Sequence, residues 1–257
     1  MSREQEYRST NDLLDAALAS DKRGEQRDFD SDALEFLRLE GITYDCRFGK
    51  GIPAEDQVIP DKPLLIIANH YVRSIWARRS LLTTKESMTE CGLILTEVAK
   101  DNSRKPRWVS KADLTEKIFG IIPSKPRKAQ NAFTRLYDNI PAVKGQEKEI
   151  IDEVAKTLLE GLIAGMYPEG EPPSRNLREP LRGFYEIPLQ LKRLKVDYRI
   201  LPVSVFSDRL GHHVVFGRVI DPTQRDIPGV KQAVVEGMIE IARNLPPHLR
   251  GDYKNLV

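Results

Sequence analysis

Leu64-Leu65-Ile66-Ile67-Ala68 are five apolar residues in succession, introduced by Pro63 and ended by Asn69-His70. A run without alternation is what a strand buried on both faces of a parallel sheet requires. Further strands are expected at Ile42–Phe48, Leu93–Val98, Arg107–Ser110, Gly165–Tyr167, Arg199–Phe206 and His213–Ile220. Residues 71–84, 112–119, 128–140, 147–163, 180–194 and 229–244 read as helical. Strands alternating with helices mean an α/β domain, a mostly parallel, mixed-edge sheet flanked by helices.

That domain is expected over residues 31–257. Its first helix would be capped by Asp30 or Ser31, carry Leu34, Phe36 and Leu37, and stop at Gly41. Residues 1–30 are mostly polar and charged and read as a mobile N-terminal extension. The alternative is a helical extension, its amphipathic patch of Leu13, Leu14, Ala17 and Leu18 docking or lying on a surface.

Composition narrows the class. The 257 residues suit one domain, because a single core stops growing near ~250–300 residues. At 40% hydrophobic and 30% charged, the chain is neither disordered nor a membrane channel. No window approaches the ~18 apolar residues of a membrane span, and the first forty residues hold no signal-like stretch, so membrane contact is expected to be peripheral. Cys46 and Cys91 lack paired spacing, which makes a reducing, cytoplasmic compartment the expectation.

The net charge of +2 says little, but its distribution says more: residues 100–128 carry nine Lys or Arg and three acids. Such a stretch attracts an anionic ligand or surface, although a solvated face accounts for it equally well. Trp108 and Tyr185 lie near basic residues, yet no RNA-binding or helix-turn-helix pattern accompanies them, so nucleic acid is not an expected partner. A metal at His212-His213 is disfavoured, because neighbouring strand residues point to opposite faces and no carboxylate or Cys lies at ligand spacing.

The candidate chemistry sits where strands end. Asn69-His70 follows a buried strand, at the sheet edge where ligands bind in open α/β folds, and an imidazole there can serve as a general base. A lone His after a strand is more often structural, so the other segments matter. Met166-Tyr167-Pro168-Glu169-Gly170, with Ser174-Arg175 behind it, brings a carboxylate and a guanidinium to a second strand end. Phe119-Gly120-Ile121-Ile122-Pro123 precedes Lys125, Arg127 and Lys128, and Ile200-Leu201-Pro202-Val203-Ser204-Val205 forms a Pro-containing apolar strand. For Glu169 the competing reading is a surface carboxylate paired with an Arg.

Taken in order, these segments resemble the four blocks of the glycerol-3-phosphate and lysophosphatidate acyltransferase family, over roughly Pro63 to Ile220. That family's first block reads Asn-His, four residues, Asp; its third reads Phe-Pro-Glu-Gly-Thr-Arg-Ser; its fourth is a Pro-containing apolar strand. Here they are Asn69-His70, Tyr167-Pro168-Glu169-Gly170 and Leu201-Pro202-Val203, with Leu181-Arg182-Gly183 where the family has an apolar-basic-Gly run. Trp108 to Leu114, with Lys111, resembles the stretch preceding the family's second block.

The resemblance implies an acyltransferase-like α/β fold. It also implies transfer of a fatty acyl group from acyl-CoA or acyl carrier protein, as co-substrate, to a hydroxyl of a glycerol phosphate or lysophospholipid. His70 would be the base and Glu169 its companion in the site, with no further cofactor. Asn69, Lys125, Arg127, Gly170, Ser174 and Arg175 would bind the substrate, Arg127 and Arg175 by a bidentate grip on phosphate. Arg73 is a novelty beside His70, and its guanidinium either disfavours the imidazolium or binds the substrate phosphate. Contact with an anionic membrane, at its inner face, would be peripheral.

Two departures stand out. The family's aspartate falls on Ile75, and Tyr71 to Trp76 contains no carboxylate, so the His-Asp dyad is broken in sequence. Glu171-Pro172-Pro173 replaces the third block's Thr-Arg-Ser, and an insertion of one residue would realign Ser174-Arg175. A catalytically impaired member that binds a lysolipid or acyl carrier without turnover is therefore the alternative. The oligomeric state is left open.

Overall fold

The computed structural model describes residues 7–70, 92–94, 97–98, 106–111, 134–143, 145–170 and 176–257. Among them the chain runs α1 (Thr10–Arg23), α2 (Phe29–Leu39), β1 (Tyr44–Phe48), β2 (Leu64–Ala68), β3 (Pro106–Lys111), β4 (Ile140–Ala142), α3 (Glu147–Leu159), β5 (Ile163–Met166), α4 (Glu186–Arg193), β6 (Arg199–Asp208), β7 (Gly211–Phe216) and α5 (Ile227–Asn244). The expected helices at 71–84 and 112–119 lie outside the described residues.

The strands form one sheet in the order β1-β7-β6-β2-β5-β3-β4. It is α/β and mostly parallel: β6 and β7 are the antiparallel pair, and β1 runs with β7. β2 lies between β6 and β5, and all five of its residues are fully buried, as the unbroken apolar run requires. Side chains alternate across the sheet. Leu65 and Ile67 join a core with α3, α4 and α5, while Leu64, Ile66 and Ala68 join the opposite core with Leu37, Leu93, Ile94, Val98 and Trp108.

α5 seals the first core with Val234, Met238 and Ile241, large buried side chains that contribute about 1.5–3 kcal/mol each. Its N-terminus is capped by Asp226, whose side chain accepts from the Gly229 N–H. α2 begins at Phe29, two residues ahead of the expected start, with Asp28 at the cap position. It ends at Leu39, and Gly41 turns the chain just beyond, as expected, with the Ile42 N–H reaching back to the Leu37 carbonyl. In α1, Leu13, Leu14 and Ala17 are buried, and Arg135 grips Asp21, so the amphipathic patch is docked on the protein.

Three local expectations are corrected. Leu93–Val98 is not a strand: residues 92–94 and 97–98 are helical. Leu93, Ile94 and Val98 are fully buried at helical spacing, and Glu97 accepts a 2.8 Å hydrogen bond from the Tyr44 hydroxyl. The helix expected over 128–140 is present at 134–136 and gives way to β4 at Ile140. The helix of 147–163 stops at Leu159, and Ile163 already belongs to β5.

Candidate functional site

β2 and β5 are parallel neighbours with Ile67 beside Met166. Carrying that register forward three residues sets His70 beside Glu169, 99 positions apart in sequence, just beyond the carboxyl ends of both strands. There the Glu169 Oε1 accepts a 3.2 Å hydrogen bond from the His70 N–H. Its Oε2 accepts from the Arg178 N–H, also at 3.2 Å. Glu169 is buried, and both carboxylate oxygens engage main chain, so it is a cross-brace between the His70 backbone and the chain returning at Arg178. That geometry sets it apart from the surface Glu–Arg pair weighed for it above.

Asn69 is buried too. Its Nδ2 donates to the Val205 carbonyl at 2.8 Å, and its Oδ1 accepts from the Val205 N–H at 2.7 Å. The carboxamide thus acts as one more peptide group, extending the β2–β6 ladder past Ala68 and fixing where the chain leaves the sheet. Gly170 is exposed, with φ of +60°, and its N–H bonds the Tyr167 carbonyl at 3.0 Å. The backbone conformation calls for glycine, and a Cβ there, 2.1 Å from Leu181 Cδ1, would have to displace that exposed side chain.

The half-buried His70 ring lies flat on the Tyr167 ring, with centroids 4.3 Å apart and planes 16° from parallel. Behind Tyr167 stands Trp108, 5.3 Å away and tilted by 31°. The Trp108 ring sits against Gly165, where a Cβ would come within 2.8 Å of it. Alternation along β5 puts Gly165 and Tyr167 on one face, which the Trp108 ring shares. The Trp108 main-chain N–H donates to Asn139 Oδ1, tying β3 to the chain entering β4.

Beyond Glu169 the chain is clamped by the C-terminus. The Leu177 N–H bonds the Leu249 carbonyl, the Asp252 N–H bonds the Leu177 carbonyl, and the Glu179 N–H bonds Asp252 Oδ2. Burial, with Tyr185, Glu179, Asp252 and Glu169 nearby, pushes the Tyr253 phenol up. A buried hydroxyl beside that clamp therefore stays neutral.

His70, Glu169, Asn69 and Gly170 come together at this edge. Arg73, Ile75, Lys125, Arg127, Ser174 and Arg175 lie outside the described residues. Sequence reasoning missed Arg178, Tyr167 as the shelf under the imidazole, and Trp108 as its backing. Only the Gly165 of an otherwise apolar strand hinted at a close approach. It also missed the carboxylates near His213: Asp208 lies 3.0 Å from Nε2 and Asp45 3.7 Å from Nδ1, brought there by the β6–β7 turn and the β1–β7 pairing. Contact with His213 holds the Asp208 carboxyl below its ordinary value. Among the described residues no three ligating side chains gather into a metal site, and no helix is long and apolar enough to cross a membrane.

Compared with known proteins, the chain matches no family model, and no curated protein matches it.

Proposed function

We propose that this protein transfers a fatty acyl group from acyl-CoA or acyl carrier protein to a hydroxyl of a glycerol phosphate or lysophospholipid, with His70 as general base. The observation that carries this reading is the meeting of His70 and Glu169 at the carboxyl edge of two adjacent parallel strands. They belong to two blocks whose order in sequence resembles the acyltransferase family. In that reading the imidazole takes the proton of the acceptor hydroxyl as its oxygen attacks the thioester carbonyl. The imidazolium then returns the proton to the departing thiolate as the tetrahedral intermediate collapses. Glu169 holds the His70 backbone in place during both steps. Arg73, Lys125, Arg127, Ser174 and Arg175 are assigned to the acceptor phosphate, and the basic stretch of 100–128 to an anionic membrane surface.

Ile75, standing where the family has its aspartate, favours a second reading: a protein that binds a lysolipid or acyl carrier without turnover. One assay separates the two. Thiol release from a long-chain acyl-CoA is followed with lysophosphatidate or glycerol 3-phosphate as acceptor, for the wild type and His70→Ala. Acceptor-dependent release that the variant loses supports acyl transfer. Absence of release from the wild type with every acceptor, combined with retained lysolipid binding, supports the binder.

A further inference from the structure

We propose that Tyr167 is a positioning residue for His70, its ring face fixing the imidazole plane and steadying the imidazolium in the role a carboxylate at position 75 would otherwise fill. The first ground is geometric: at 4.3 Å and 16° the two rings are in face-to-face contact, and the imidazole cannot tilt toward Tyr167. The second is support. Tyr167 is itself backed by the buried Trp108, which occupies the space that Gly165 leaves on β5. Trp108 is anchored in turn through its backbone to Asn139.

The third ground is electrostatic. The face of an aromatic ring carries partial negative charge and attracts a cation placed over it, most strongly where water is excluded. The Glu169 oxygens accept from the His70 and Arg178 backbone N–H groups, so that carboxylate fixes the chain at His70 while the phenol face meets the ring. The phenol face is an electron-rich surface set directly against the ring. A shelf of this kind sets the plane of the imidazole.

The kinetic part of this proposal rests on the acyl-transfer reading; the structural part does not, and the test reads them separately. In proton–carbon NMR spectra the His70 ring protons, identified by their absence in His70→Gln, are expected upfield of exposed-histidine positions because of the Tyr167 ring current. Tyr167→Leu is expected to remove that displacement, and Tyr167→Phe to keep it. His213, stacked on Phe206 at 4.8 Å, stays unchanged and reports that each variant is folded. In acyl transfer, Tyr167→Leu is expected to lower kcat about three- to thirty-fold, the rate equivalent of a cation–π contact, with KM little changed. Tyr167→Phe should retain wild-type kcat. His70 ring signals that do not move in Tyr167→Leu overturn the proposal, as does a Tyr167→Phe variant as slow as Tyr167→Leu, which would make the hydroxyl the active group. A wild type with no turnover sinks the acyl-transfer reading instead and leaves the NMR comparison to decide the stack.

Discussion

Glu169→Gln keeps the shape of a buried side chain but turns one of its two oxygens into a donor. In the wild type those oxygens accept from the His70 and Arg178 N–H groups at 3.2 Å each. A net hydrogen bond to a charged group contributes about 1.5–3 kcal/mol, and one to a neutral acceptor about 0.5–1.5 kcal/mol. Glutamine therefore loses one charged bond outright, sets an NH2 against a backbone N–H, and weakens the other bond. Together these cost about 3 kcal/mol, with no cavity contribution because the volume is unchanged. For a chain of this size that is a fall in Tm of about 6–12 °C. Urea unfolding would give the free energy, and amide hydrogen exchange would locate it, since the His70 and Arg178 amides should exchange faster while those of β6 hold. If Glu169→Gln matches the wild type within about 0.5 kcal/mol and both amides stay slow, the cross-brace is wrong.

Two other substitutions probe the same frame and the core beneath it. Gly170→Ala places a Cβ 2.1 Å from Leu181 Cδ1 at φ +60°. The conformation alone costs about 1–2 kcal/mol, and calorimetry on the double variant with Leu181→Ala should recover the packing loss and leave that residue of strain. Tyr198 has a buried hydroxyl without a hydrogen-bond partner. Burial first, then Asp221, pushes its phenol up. Its folded-state value lies above the unfolded one near ~10, so the folded protein keeps a proton that the unfolded chain releases. That contribution to stability is whole below about pH 10 and is lost as pH rises through the window above it. Tyr198→Phe should leave stability at pH 7 unchanged or higher, and flatten the alkaline fall in a urea titration series at pH 9–11; an equally steep fall would refute the assignment.

Much of the sheet was legible in the chain, because the signals are local. The unbroken run of β2, the Pro-marked β6 and the amphipathic α5 are each written in the residues that form them. Leu93–Val98 was not legible, since a short apolar run fits a buried strand and one face of a helix alike, and only the core it fills decides. β4 escaped for a similar reason: three residues, one of them Pro141, carry too little pattern to outweigh the helical stretch before them.

At the site, local pattern was enough to place Asn69-His70 and Tyr167-Pro168-Glu169-Gly170 each at the end of a buried strand, and so at one edge of a parallel sheet. Tertiary structure alone decided that those two strands are neighbours in a register setting His70 beside Glu169, and that Glu169 grips backbone on both sides. It alone also decided that the His70 ring rests on Tyr167 before Trp108. Strand order and register are relations between segments about a hundred residues apart, fixed by which faces pack together, and no local periodicity encodes them.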